Sequence, residues 1–172
     1  NTFEKVELNT GKNFQSDIKK QNVLTKKNKV IKAKRIEVLK VINNVNEDNV
    51  IVLATTGKTG RELYEIEDKS NNLYMVGSLG CISSLGLGLS LVRKNKKVVV
   101  IDGDGSLLMR MGNLGTIGYY HPSNLLHILL DNNTHDSTGG QETVSNNVDF
   151  VKVAEGCGYS NIFYVHNNYE LE

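Results

Sequence analysis

VVVIDGDGSLLMRMGNLGTIGYYHPSNLLHILLDNNTHDSTGGQ, residues 98–141, sets an acidic turn and an acid-amide turn at the ends of two apolar runs. Val98–Ile101 is β-branched throughout and reads as a buried strand. It stops at Asp102-Gly103-Asp104-Gly105-Ser106, where glycine allows a tight turn and a close approach of backbone to a ligand. Asp104 is expected to stand exposed at the strand's carboxyl end. A second strand is predicted over 126–130, leaving through Asp131-Asn132-Asn133. If the two strands are parallel neighbours, both turns open on the edge where open α/β sheets bind their ligands.

The donors gathered there are hard oxygens. Mg²⁺ prefers such donors in octahedral geometry and shares them with phosphate and water. Asp104, with an amide from Asn132 or Asn133, therefore suits a magnesium-bound diphosphate. Either turn read alone is an ordinary loop signal. The pair, following consecutive strands, is what points to a site.

Outward from this stretch, apolar strands alternate with helices. A helix is predicted over 30–44, with Ile31, Val38, Ile42 and Val45 on one face. Strands follow at 50–54, 73–76 and 162–165, and helices at 60–66, 82–93, 109–120 and 149–155. The alternation predicts a doubly wound parallel sheet with helices on both faces, an α/β fold. Small residues in the 82–93 helix suit close packing against a sheet or a ligand. Parallel strands would bring the loops 55–60, 77–80, 104–106 and 132 to one crevice, where backbone N–H groups and hydroxyls can hold phosphate. Gly57-Lys58-Thr59 is not a P-loop, because the position that requires Gly, five residues before Gly57, is Val52.

The chain has 172 residues and a net charge of +1, enough for one domain with a three-layer core and too balanced for a charge-driven nucleic-acid or membrane role. Lysines cluster at Lys19-Lys20 and Lys26-Lys27, without the interleaved aromatics that stack on bases. Residues 1–28 read as a linker or arm from a preceding domain, and 29–172 as the ligand-binding domain. Cys81 and Cys157 lack metal-ligand spacing and fit a reducing compartment. No apolar run is long enough to span a bilayer, so a soluble cytoplasmic protein is expected. The start at Asn1, without Met, reads as a processed or excised fragment.

The Gly-Asp-Gly turn and the later Asn pair, with the 26 residues 106–131 between Gly105 and Asn132, resemble the thiamine diphosphate signature. The resemblance implies Mg²⁺ held by Asp104, Asn132 and the carbonyl of Thr134, bridging to the cofactor's diphosphate. Asp131 stands where the family has a further Asn, which leaves a one-residue shift to Asn133 open. By the same resemblance Thr56, Gly57, Gly77, Ser78, Leu79, Gly105 and Ser106 bind the cofactor. Gly77 offers a carbonyl to the aminopyrimidine, and Leu79 is the wedge beneath the bent cofactor. TGRELYE (59–65), LYMVGSLGCISSLGLGLSL (73–91), GDGSLLMRMGNLGTIG (103–118) and HDSTGGQ (135–141) narrow the resemblance to the carboxyl-terminal half of the phosphonopyruvate decarboxylase family, with the sulfopyruvate decarboxylase subunit a relative.

That family implies decarboxylation of 3-phosphonopyruvate to phosphonoacetaldehyde, with thiamine diphosphate supplying the carbanion chemistry. His135 and Asp136 become candidate catalytic residues beside the substrate, and Lys58 a candidate for recognising its dianionic end. The family's activating Glu lies on a separate pyrimidine-binding domain, either a missing amino-terminal half or another subunit. A small 2-oxoacid substrate, that domain and further copies of the chain are the expected partners; nucleic acid and membrane are not. A sulfopyruvate decarboxylase subunit, or a non-catalytic module that holds a nucleotide or docks a partner, are the alternatives.

Overall fold

Three apolar runs of β-branched and leucine residues and one short edge strand form the parallel part of a six-stranded sheet in the computed structural model, which describes residues 5–8, 33–45, 47–165 and 170. These are β2 (Val50–Ala54), β3 (Asn72–Tyr74), β4 (Lys97–Gly103) and β5 (Leu125–Asp131). Preceding and following them are β1 (Lys5–Leu8) and β8 (Phe163–Val165), and the sheet order is β3-β2-β4-β5-β1-β8. β2 pairs in parallel with β3 and β4, and β4 with β5.

Alternate residues of these strands feed two cores. Val50, Val52, Ala54, Ile101, Ile128 and Leu130 face Val38, Leu39 and Ile42 of helix α1 (Arg35–Asn44) and Leu63 of α2 (Lys58–Ile66). Leu53, Val98, Val100, Leu125 and Leu129 face α3 (Ile82–Val92), α4 (Asp104–Met109), α5 (Asn113–Tyr120) and α6 (Phe150–Gly156). Burial on both faces explains why the strands read as continuous apolar runs. The expected α/β sheet with helices on both faces is present. α3 lies close to it as expected: a Cβ on Gly86 would come within 2.1 Å of Val100 Cγ2.

Several expectations change. The sheet is not wholly parallel, because β1 runs antiparallel between β5 and β8. Lys5–Leu8 lie in the stretch read as linker; β5 there offers an unpaired edge whose backbone groups an extended segment satisfies. The rest of that stretch, residues 1–4 and 9–28, lies outside the described residues, as do Ile31 and the chain's last two residues. Val45 falls beyond α1 and is exposed. The helix expected over 109–120 is shorter, α5 at Asn113–Tyr120, and Arg110-Met111-Gly112 separates it from α4 (Asp104–Met109), which was not anticipated. Asp104 is buried rather than exposed, because it is the first residue of α4 and not part of an open turn. A short hairpin, β6 (Thr134–His135) with β7 (Gln141–Glu142), and a 3₁₀ turn at Ser145–Asn147 were not anticipated. Among the described residues no helix is long and apolar enough to cross a membrane.

Candidate functional site

The loops after β2, β4 and β5 converge at the carboxyl ends of the parallel strands and enclose a cleft. Thr55, Thr56, Leu79, Asp104, Gly105, Ser106, Asn132, Thr134, His135 and Asp136 line it, so most of the residues singled out in the sequence meet in one place. Gly57 borders a neighbouring apolar groove instead. Gly77 and Ser78 are exposed and lie outside the cleft lining, although Leu79 of the same loop reaches it. Their loop is tethered through the Gly77 N–H, which donates to Thr56 Oγ1 (3.3 Å).

At the inner end, Asp104 Oδ2 accepts a hydrogen bond from the Thr143 hydroxyl, and Thr143 also bonds Ser145 (2.9 Å). Asp104 is 3% exposed, so Thr143 orients the carboxylate and the remaining oxygen is available to the cleft. Ser106 ties three loops together: its hydroxyl lies 3.0 Å from that of Thr55 and accepts the Gly80 N–H (3.1 Å). Asn132 lines the cleft and its Oδ1 accepts the Thr134 N–H (3.2 Å). Asn133, in left-handed backbone at φ 60°, bonds Asp131 Oδ1 through both its N–H groups, main-chain (3.1 Å) and amide (3.4 Å), and does not line the cleft. Behind the turn, Asp102 Oδ2 and His127 Nε2 face each other at 3.5 Å in the core.

This donor set fits a magnesium diphosphate: one oriented carboxylate and one side-chain amide, with hydroxyl-bearing residues alongside. Among the described residues no group of three His, Cys, Asp or Glu gathers to hold a metal by itself.

His135 lies over Gly105, where a Cβ would come within 2.4 Å of the imidazole Cε1 and 2.6 Å of Nδ1. Only glycine leaves room for that ring. Gly105→Ala is therefore expected to displace the imidazole, at a cost of less than about 1 kcal/mol because the tip of a half-buried side chain can swing away. An unchanged His135 ring resonance by NMR would show that the contact is not tight.

The outer end is ionic. Arg35, on the first turn of α1, forks onto Glu62 (2.8 and 2.6 Å) and reaches Asp136 (3.1 Å). Lys58 Nζ pairs with Asp136 from the other side (3.2 Å). Burial favours the neutral Asp136 acid, but the hydrogen bonds and charges of Lys58 and Arg35 outweigh it and hold the carboxyl below its ordinary value. Burial likewise works against the Arg35 cation, yet Glu62 and Asp136 raise its pKa. The two pairs differ in strength. Lys58 is 40% exposed, so its pair is worth about 0–1 kcal/mol, whereas the 7%-exposed Arg35 is fixed by a bidentate fork.

Arg35, Glu62, Thr143 and His127 were not legible as site residues in the sequence. Arg35 lies 101 residues from Asp136 and Thr143 lies 39 from Asp104, so no local motif links them. The buried arginine in an amphipathic helix was the one available signal.

A parallel α/β sheet with a carboxylate-amide pair at its ligand edge defines a phosphate-ester or diphosphate-binding domain. Residues 55–172 match the family described as thiamine pyrophosphate enzyme, C-terminal TPP binding domain, and the chain belongs to it. It is 53% identical over 108 residues to phosphonopyruvate decarboxylase of Streptomyces viridochromogenes, covering 63% of this chain and 27% of that protein. It is 45% identical over 131 residues to sulfopyruvate decarboxylase subunit beta of Methanocaldococcus jannaschii, covering 75% of this chain and 69% of that one. The chain thus spans about a quarter of the length of the phosphonopyruvate decarboxylases it matches. A solved Mycobacterium smegmatis structure described as thiamin diphosphate-dependent shares the fold, with a TM-score of 0.56 at 21% identity over 70% of this chain and 24% of that one.

Proposed function

We propose that this chain is the cofactor-binding half of a thiamine diphosphate-dependent 2-oxoacid decarboxylase, acting on phosphonopyruvate. The observation that carries the reading is a cleft with two unlike ends, an oriented carboxylate and amide inside and a pair of cations outside. Asp104, Asn132 and the Thr134 carbonyl are the residues that would hold Mg²⁺. Thiamine diphosphate, when bound there, supplies the electron sink for loss of CO₂.

The remaining work belongs to the chain's own groups. Thr143 keeps the Asp104 carboxylate aimed at the cleft, and Ser106 holds the surrounding loops in register. Leu79 presents apolar surface to the cleft. His135, seated over Gly105 and lining the cleft, would be the group that exchanges a proton with bound substrate. Asp136, held ionised by two cations, does not serve as a proton donor near neutral pH and instead neutralises them.

Phosphonoacetaldehyde formation by the complete enzyme tests the reaction, with sulfopyruvate as the competing substrate. A preference for sulfopyruvate would move the assignment to the sulfopyruvate decarboxylases, a reading favoured by the 69% of the Methanocaldococcus beta subunit that the chain covers. The metal ligand set has its own test. Asn132→Ala is expected to weaken Mg²⁺-dependent cofactor binding about tenfold or more, and Asn133→Ala less than threefold, since loss of a charged-group contact costs roughly 1.5–3 kcal/mol. The reverse order by titration calorimetry would shift the ligand to Asn133.

A further inference from the structure

We propose that Lys58 and Arg35, with Asp136 as their internal counter-anion, form an oxyanion subsite that selects 2-oxoacids bearing an acidic group on C3. The inference rests on the decarboxylase reading above and assigns the outer end of the same cleft. Two cations and two carboxylates balance there: Glu62 is forked by Arg35, while Asp136 lies between Arg35 and Lys58.

Exposure decides which member moves. Arg35 is 7%, Asp136 16% and Lys58 40% exposed, so Lys58 is the one that meets an incoming ligand. Its ammonium is a point charge on a flexible stem, whereas the Arg35 guanidinium is locked by its fork. A half-exposed lysine–carboxylate pair is weak and readily exchanged. A phosphonate or sulfonate can therefore take Lys58 from Asp136, which stays neutralised by Arg35. A methyl group in its place offers Lys58 nothing, and Lys58 remains on Asp136.

Depth separates this subsite from the cofactor's phosphates. Asp104 and Ser106 are 3% and 4% exposed at the inner end, where a metal-bound diphosphate would sit. Lys58, at 40% exposure, stands nearer the opening of the cleft.

The experiment titrates phosphonoacetate, a non-reactive probe, into the complete enzyme loaded with thiamine diphosphate and Mg²⁺, pyrimidine-binding domain included. Lys58→Gln is expected to weaken phosphonoacetate binding about tenfold or more, with Lys58→Arg restoring most of it and thiamine diphosphate affinity unchanged in both. The preference for phosphonopyruvate over pyruvate, read as the ratio of kcat/KM values, falls by a similar factor. Unchanged phosphonoacetate affinity in Lys58→Gln overturns the subsite. A matching loss of thiamine diphosphate affinity also overturns it, by giving Lys58 to the cofactor's diphosphate. If the probe binds through Lys58 but phosphonopyruvate is not turned over, the decarboxylase reading fails and the subsite stands.

Discussion

Asp104→Ala is expected to weaken thiamine diphosphate binding by about 100-fold or more and to remove its dependence on Mg²⁺. The carboxylate is the one acidic side chain offered to the metal by the inner end of the cleft, and Thr143 holds it in place. Without it the diphosphate meets a cation that the protein no longer anchors. Burial raises the question of folding, since Asp104 is 3% exposed and its loss leaves the Thr143 hydroxyl without that acceptor. Asp104→Asn answers it: the amide oxygen can still accept from Thr143, but the charge is gone. Both variants should fold, as judged by circular dichroism, and both should lose the metal-dependent part of binding by calorimetry with and without chelator. Undiminished binding by either variant, or equal binding by the wild type in chelator, would remove Asp104 from the metal site.

The second large effect concerns completeness. This chain on its own is expected not to decarboxylate phosphonopyruvate, and to do so once a pyrimidine-binding domain is supplied. The carboxylates that the structure places at the cleft already have partners: Asp104 is bonded by Thr143, and Asp136 is held by Lys58 and Arg35. Glu62, just beyond, is forked by Arg35. On the decarboxylase reading proposed above, the activating Glu would come from another domain. Loss of one positioned acid–base group costs about 10²–10⁴ in rate, and an open cleft also forfeits the desolvation that favours CO₂ release. Phosphonoacetaldehyde formation would be measured for the isolated chain and for the reconstituted mixture. Robust turnover by the isolated chain, absent from an Asp104→Ala control, would defeat the half-site reading.

How much of this was legible before folding can be traced element by element. Strands β2, β4 and β5 were predicted within a residue or two, because each is an apolar run buried on both faces and needs no tertiary context to be recognised. β1 was not, since the alternation of Lys5-Val6-Glu7-Leu8 runs for only four residues in a polar, lysine-rich stretch; the unpaired edge of β5 recruits them. α4 was missed because its start, Asp104-Gly105-Ser106, carries the residues of a turn and its six residues are too few to show a helical period.

The site divides along the same line. The chain's own order determined the carboxylate-amide end: Asp104 and Asn132 follow consecutive parallel strands, so strand geometry alone delivers them to one edge, and local turn chemistry identifies them. The ionic end was decided by tertiary structure. Arg35 meets Asp136 only because α1 packs on one face of the sheet while the loop after β5 folds back over its edge, and Thr143 reaches Asp104 only when that loop closes. A periodic pattern records which face a residue buries, whereas the pairing of two distant charges depends on where whole elements come to rest.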